Sequence, residues 1–98
     1  MIKPRVFVLN DGGQDYTPAQ EYGELVFCTE GSINKNDVAQ MYRVLNEFLA
    51  DADAHDYIMI CSLATLCSVA SAIMAANHGE VHFLVYQNGK YHVKDLIL

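Results

Sequence analysis

With 98 residues, 52% of them hydrophobic and 18% charged, the chain has the length of one domain around a single core, and less charge than a fully wetted surface of that size usually carries. A formal net charge of −6 with only six Lys and Arg residues excludes a protein whose main work is neutralising phosphates, because that takes clustered cations. The acidic balance fits solubility or a basic protein partner, and nucleic acid is set aside.

Residues 5–10 read as a short apolar strand that ends at Asp11-Gly12-Gly13. The apolar run between Arg5 and Asn10 is too brief for a signal-peptide core. Residues 17–23 have the marks of a miniature helix: Thr17 to cap, Pro18 at the first helical position, Gln20 at capping-box spacing and Gly23 to end it. Residues 24–29 form a second strand closed by Glu30-Gly31-Ser32. Asn34 or Asn36 then caps a helix whose apolar positions Val38, Met41, Tyr42, Leu45, Phe48 and Leu49 follow the 3.6-residue period. Residues 51–56 are a polar connection, and residues 57–61 a third, wholly apolar strand of the kind found inside parallel sheets.

From Tyr57 to Gly79 there is no Asp, Glu, Lys or Arg. The length raises the question of a membrane span, but Ser62, Thr65, Ser68, Ser71, Asn77 and His78 dilute the stretch, so no membrane is expected. Within it, Ser62 caps a helix that runs to His78 and stops at Gly79. Steps of 100° place Leu63, Leu66, Val69, Ala70, Ile73 and Met74 on a core face, and Ala64, Ser68, Ser71, Ala72 and Ala75 on a small, neutral one. A helix facing water normally shows charge, so this second face is expected to be covered by another chain, and a homo-oligomer follows. The chain ends in a hairpin, residues 81–87 and 90–98, around an Asn88-Gly89 turn of type I′, which sets Gln87 opposite Lys90, Tyr86 opposite Tyr91 and His82 opposite Asp95.

The order β, short α, β, α, β, α, β, β over residues 1–98 predicts a single small α/β layered domain, Rossmann-like or flavodoxin-like, with a mostly parallel sheet and a C-terminal antiparallel hairpin. Ligands of such sheets sit beyond the carboxyl ends of the strands. The candidates there are Asp11, Gly12, Gly13, Thr29, Glu30, Gly31, Ser62 and Thr65: glycines for close backbone approach, free N–H groups for an anion, and carboxylates for a ribose or a divalent cation. A small nucleotide-like ligand is the corresponding expectation. The dinucleotide-binding and phosphate-loop glycine patterns are both lacking.

Asp51, Asp53 and Asp56 with His55 lack calcium-loop spacing and read as a solvated connection, so no metal site and no cofactor is expected. His82 opposite Asp95 reads as a cross-strand ion pair rather than an acid-base couple. Cys67 and His78 are three helical turns apart, too far for a thiolate-imidazole contact. Cys28, Cys61 and Cys67 are odd in number and without paired spacing; Cys28 and Cys61 fall in apolar strand patterns, as small hydrophobes in a reducing cytoplasm. With no catalytic constellation, a non-enzymatic binding module is favoured over an enzyme.

The Leu9-Asn10-Asp11-Gly12-Gly13 loop, Tyr22-Gly23-Glu24-Leu25-Val26, Thr29-Glu30-Gly31, Asp56-Tyr57-Ile58, His78-Gly79 and Asn88-Gly89-Lys90-Tyr91 together resemble small proteins encoded by tailed bacteriophages and prophages. No established activity comes with that resemblance, so no site residue is carried over. It implies the host cytoplasm and an accessory role, such as binding a host or defence protein.

Overall fold

Four connections decide how the sheet is wound. The computed structural model describes residues 4–34, 36–61 and 63–98. In chain order these form β1 (Arg5–Val8), a 3-10 turn (Thr17–Glu21), β2 (Glu24–Phe27), α1 (Val38–Leu49), β3 (Tyr57–Met59), α2 (Ala64–His78), β4 (Glu80–Gln87) and β5 (Lys90–Ile97). The strand order is β2-β1-β3-β4-β5, parallel throughout except for the antiparallel β4–β5 pair. The order 2-1-3-4-5 is that of flavodoxin-like sheets, here with the last strand reversed. The predicted fold class is therefore the one observed.

Crossovers between parallel strands are right-handed. Because β1 leads outward to β2 and the chain then returns past β1 to β3, the first connection lies on one face of the sheet and α1 and α2 on the other. Two unequal cores result. Phe7, Leu9, Ile58 and Val81 pack under Met41, Leu45 and Leu49 of α1 and Leu66, Ala70, Ile73 and Met74 of α2. On the opposite face Val6, Val8, Met59, Leu84 and Tyr91 are covered, among the described residues, by Tyr16, Ala19 and Tyr22 of the first connection, with Leu25 and Tyr57 packed beside them. Burial on both faces explains why β1 and β3 read as unbroken apolar runs.

Several local expectations shift. Ladder-type bonds run beyond the strand ends, with Cys28 N–H donating to Val8 O and Ile60 N–H to Leu84 O, so the longer predicted strands and the shorter observed ones describe the same pairing. Thr17 does not cap the 3-10 turn; Asp15 Oδ1 accepts from Thr17 N–H, an Asx turn that enters it. Asp37, not Asn34 or Asn36, caps α1 by accepting from Gln40 N–H, because the Asn34 carboxamide is already engaged by Asn36 N–H. The cap assigned to Ser62 lies outside the described residues, and the N-cap position of α2 is Leu63. Gly79 ends α2 at φ 72°, and Asn88 and Gly89 turn the hairpin at φ 55° and 81°, with the predicted pairs in register.

Gly23 has another role than ending a helix. A Cβ there would collide with the Pro4 carbonyl group beside β1, whose oxygen accepts from Glu24 N–H. Only glycine lets the two backbones meet at the start of the β1–β2 ladder.

Candidate functional site

Between β1 and β3 the direction of winding reverses, and a crevice opens at their carboxyl ends. A cavity of about 250 Å³ there is lined by Leu9, Asn10 and Gly12 after β1, by Ile60 and Cys61 after β3, and by Tyr16 and Tyr86. A wider hollow of about 640 Å³ adjoins it over β2, walled by Asp11, Gln14, Asp15, Glu24 and Phe27. Three carboxylates and no described Lys or Arg border that hollow. Its field favours a neutral or cationic occupant, or a metal-bridged anion.

The predicted ligand residues mostly support one another. Asp11 and Glu30 form an isolated parallel bridge, with Asp11 N–H donating to Thr29 O and Gly31 N–H to Asp11 O. Asp11 Oδ1 accepts from Gly13 N–H. Gly12 N–H donates to the Tyr16 hydroxyl, which donates to Asn10 O. Thr29 Oγ1 lies 2.6 Å from Leu9 O and 2.9 Å from Asn10 Oδ1, one proton between two acceptors. These bonds hold the two loops together as a rigid rim. Thr65 stands exposed in the first turn of α2, and Ser62 lies outside the described residues.

The opposite end of the sheet carries a second cluster. His82 sits between two carboxylates, Nδ1 at 2.6 Å from Asp95 and Nε2 at 2.7 Å from Glu80, so the expected pairing with Asp95 is present and Glu80 joins it. Both ring nitrogens face acceptors, and these bonds, that to Asp95 foremost, raise the His82 pKa. His55, Glu80 and His82 bring ligand atoms within 4.8 Å of one another and could hold a divalent cation. Binding would first have to displace the proton that the carboxylates stabilise on His82. The His55 ring thus faces His82 of β4, while its backbone N–H donates to Asp53 Oδ1 within its own loop.

Asp56 is not solvated, contrary to the reading of its segment. It is 2% exposed and accepts from Arg5 N–H at 2.9 Å, Arg5 Nε–H at 3.2 Å and Asp53 N–H at 2.8 Å. It ties the start of β1 to the loop that leads into β3.

Among the cysteines, Cys28 keeps its expected role and Cys61 does not. Cys28 is a buried hydrophobe, its thiol pushed up to about 12 by burial. Cys61 and Cys67, without a recognisable spacing, have their sulfurs 3.5 Å apart where β3 hands over to α2.

The neutral face of α2 is solvent-facing in the single chain. Ala64, Ser68 and Ala72 are exposed, while Ser71 and Ala75 are half-buried. Ser68 and Ser71 hydroxyls donate back to the carbonyls of Ala64 and Cys67, so the face has few free donors. Beside it, Val38 and Tyr42 of α1, 49% and 51% exposed, complete an apolar groove of about 390 Å³ with Val69, Ala72, Ile73 and Ala76.

Residues 4–96 match the family model described as phage Pam3 gp32-like protein, and the chain belongs to that family. No curated protein and no solved structure matches it. No helix among the described residues is long and apolar enough to cross a membrane.

Proposed function

We propose that this phage protein is a non-enzymatic binding module that works in the host cytoplasm as an assembly of identical chains, joined through the outer surfaces of α1 and α2. The carrying observation is the groove between those helices. It is largely apolar, flanked by the charge-free face of α2, and bordered by Val38 and Tyr42, two large side chains that the core leaves uncovered. Patches of this kind mark contact surfaces. Small residues along α2 allow a second helix backbone to approach closely. A host or defence protein would then be bound by the assembly's remaining surfaces.

Another apolar region competes for this role. Leu96, Ile97 and Leu98 are 47%, 65% and 75% exposed at the end of β5. That edge strand, however, carries Lys90, Lys94 and Asp95, charges that discourage edge-to-edge pairing. Light scattering on size-exclusion peaks separates the two. Ser68→Arg or Ala72→Arg should split the assembly by burying an unpaired charge, and Ile97→Lys should leave it intact. The opposite pattern would move the interface to β5 and overturn the assignment to the helices.

A second reading places a small ligand in the strand-end crevice, favoured by the cavity at the winding reversal. With an acidic rim and no described base beside it, a nucleotide would need a divalent cation between its phosphates and Asp11 or Glu30. A rise in melting temperature with nucleotide and Mg²⁺, lost in Asp11→Ala, supports that reading; identical behaviour of the two proteins across a nucleotide panel removes it.

A further inference from the structure

Cys61 and Cys67 meet where the end of β3, the start of α2 and an open cavity come together. Cys61 follows β3, is half-buried and lines the smaller crevice cavity. Cys67, 8% exposed, lies behind it on the first turns of α2, where its N–H donates to Leu63 O. The sulfurs are 3.5 Å apart, and Cys61 N–H donates to Cys67 Sγ at 3.3 Å. Cys61 therefore belongs to the cavity wall, and Cys67, the more buried of the two, stands in reserve within reach of it.

We propose that Cys61 and Cys67 are a redox-active dithiol, a site of exchange with small-molecule disulfides of the glutathione type that closes to a disulfide at the rim of the crevice. Cys61 thiolate attacks one sulfur of the small disulfide, forming a mixed disulfide and expelling the first small thiolate. Cys67 then gives up its proton to solvent and attacks Cys61 Sγ. The mixed bond breaks, the second small thiolate leaves, and both small thiolates take up protons. Two protein thiols have been oxidised and one small disulfide reduced to two thiols; two small thiols drive the reverse. Closure needs the sulfurs to approach by only about 1.5 Å.

The division of labour follows from the surroundings. The thiol–thiol contact holds the Cys61 pKa below the usual thiol value, and the same contact together with burial raises that of Cys67. Cys61 is the attacking group because it is both the more ionised and the more accessible. Cys28, buried and, among the described residues, without a thiol hydrogen-bonded to it, serves as an internal control. Oxidation would fasten the first turn of α2 to the end of β3, fixing the mouth of the cavity. Such a device acts stoichiometrically and needs no turnover.

The test exposes the folded full-length chain to graded ratios of glutathione to its disulfide, followed by alkylation, intact-mass measurement and peptide mapping. Wild type should lose two alkylatable thiols together, with a Cys61–Cys67 bond mapped and Cys28 still alkylated after unfolding. Cys67→Ser should stop at one glutathione on Cys61, and Cys61→Ser should take up none. Cys67→Ala, checked by circular dichroism, replaces the serine variant should that one not fold. Three free thiols in wild type at the most oxidising ratio would overturn the proposal, as would Cys61→Ser reacting as wild type does.

Discussion

Removing the Asp56 carboxylate should cost more stability than removing any other acid in its loop. In Asp56→Ala two backbone N–H groups, of Arg5 and Asp53, lose their acceptor, and the Arg5 guanidinium loses a partner at 3.1 Å. Each buried donor left unpaired costs about 1–3 kcal/mol. Water reaching the half-exposed Arg5 recovers part of that, so the expected loss is about 3–5 kcal/mol. Domains of this size have total stabilities of about 5–15 kcal/mol, and the variant would therefore sit close to unfolding. Asp56→Asn keeps the volume and one acceptor but turns an amide N–H₂ toward a donor, for a loss of about 2–3 kcal/mol. Asp51→Ala removes only an 81% exposed partner at 3.7 Å and should change stability by less than about 0.5 kcal/mol. Urea unfolding followed by circular dichroism at neutral pH reads all three. A loss below about 1 kcal/mol for Asp56→Ala, or equal effects at positions 51 and 56, would refute the claim that burial and backbone bonding set the difference.

Gly23→Ala should destabilise the fold by about 1–3 kcal/mol in the same assay, since the new methyl group meets the Pro4 backbone and the β1–β2 ladder must shift; a neutral result would show that the strands can part there without cost. Gly89→Ala, at φ 81°, should lose about 1 kcal/mol through left-handed strain in the hairpin turn, and no change in the unfolding midpoint would contradict the turn type. Because its carboxylate neighbours raise the His82 pKa, His82 contributes stability that is complete below the usual imidazole value of 6.5 and is lost as pH rises through the folded-state value. The urea midpoint should fall over that window, and Asp95→Asn should flatten the fall; a midpoint that rises instead would reverse the assigned charge state.

The fold was legible because each element carries its own period or punctuation. Val6 to Leu9 and Ile58 to Met59 announce buried parallel strands by lacking polar alternation, and Asn88-Gly89 fixes the hairpin register down to the His82–Asp95 pair. What escaped the sequence depends on neighbours that strand order alone supplies. Asp56 looks like one more loop acid until β1 and β3 are known to be adjacent, when the register Val6–Tyr57 puts Arg5 beside it. The Cys61–Cys67 contact has a signal only in hindsight: a helix that starts soon after a strand end folds the residue one turn in back over that end. On α1, Val38 and Tyr42 share the helical period of Met41, Leu45 and Leu49, yet they stay exposed and border the groove on the outer surface, which the period alone does not reveal. Asn34 was a reasonable cap by type, but its carboxamide served its own turn first.

The proposed assembly requires the helical surface of α1 and α2 to be shared between chains. Sedimentation velocity of the wild-type protein across micromolar concentrations, run beside Ala72→Arg, measures this directly. An assembly of two or more chains in the wild type that becomes a single chain in the variant is the predicted result. A wild-type protein that sediments as one chain at every concentration would contradict it.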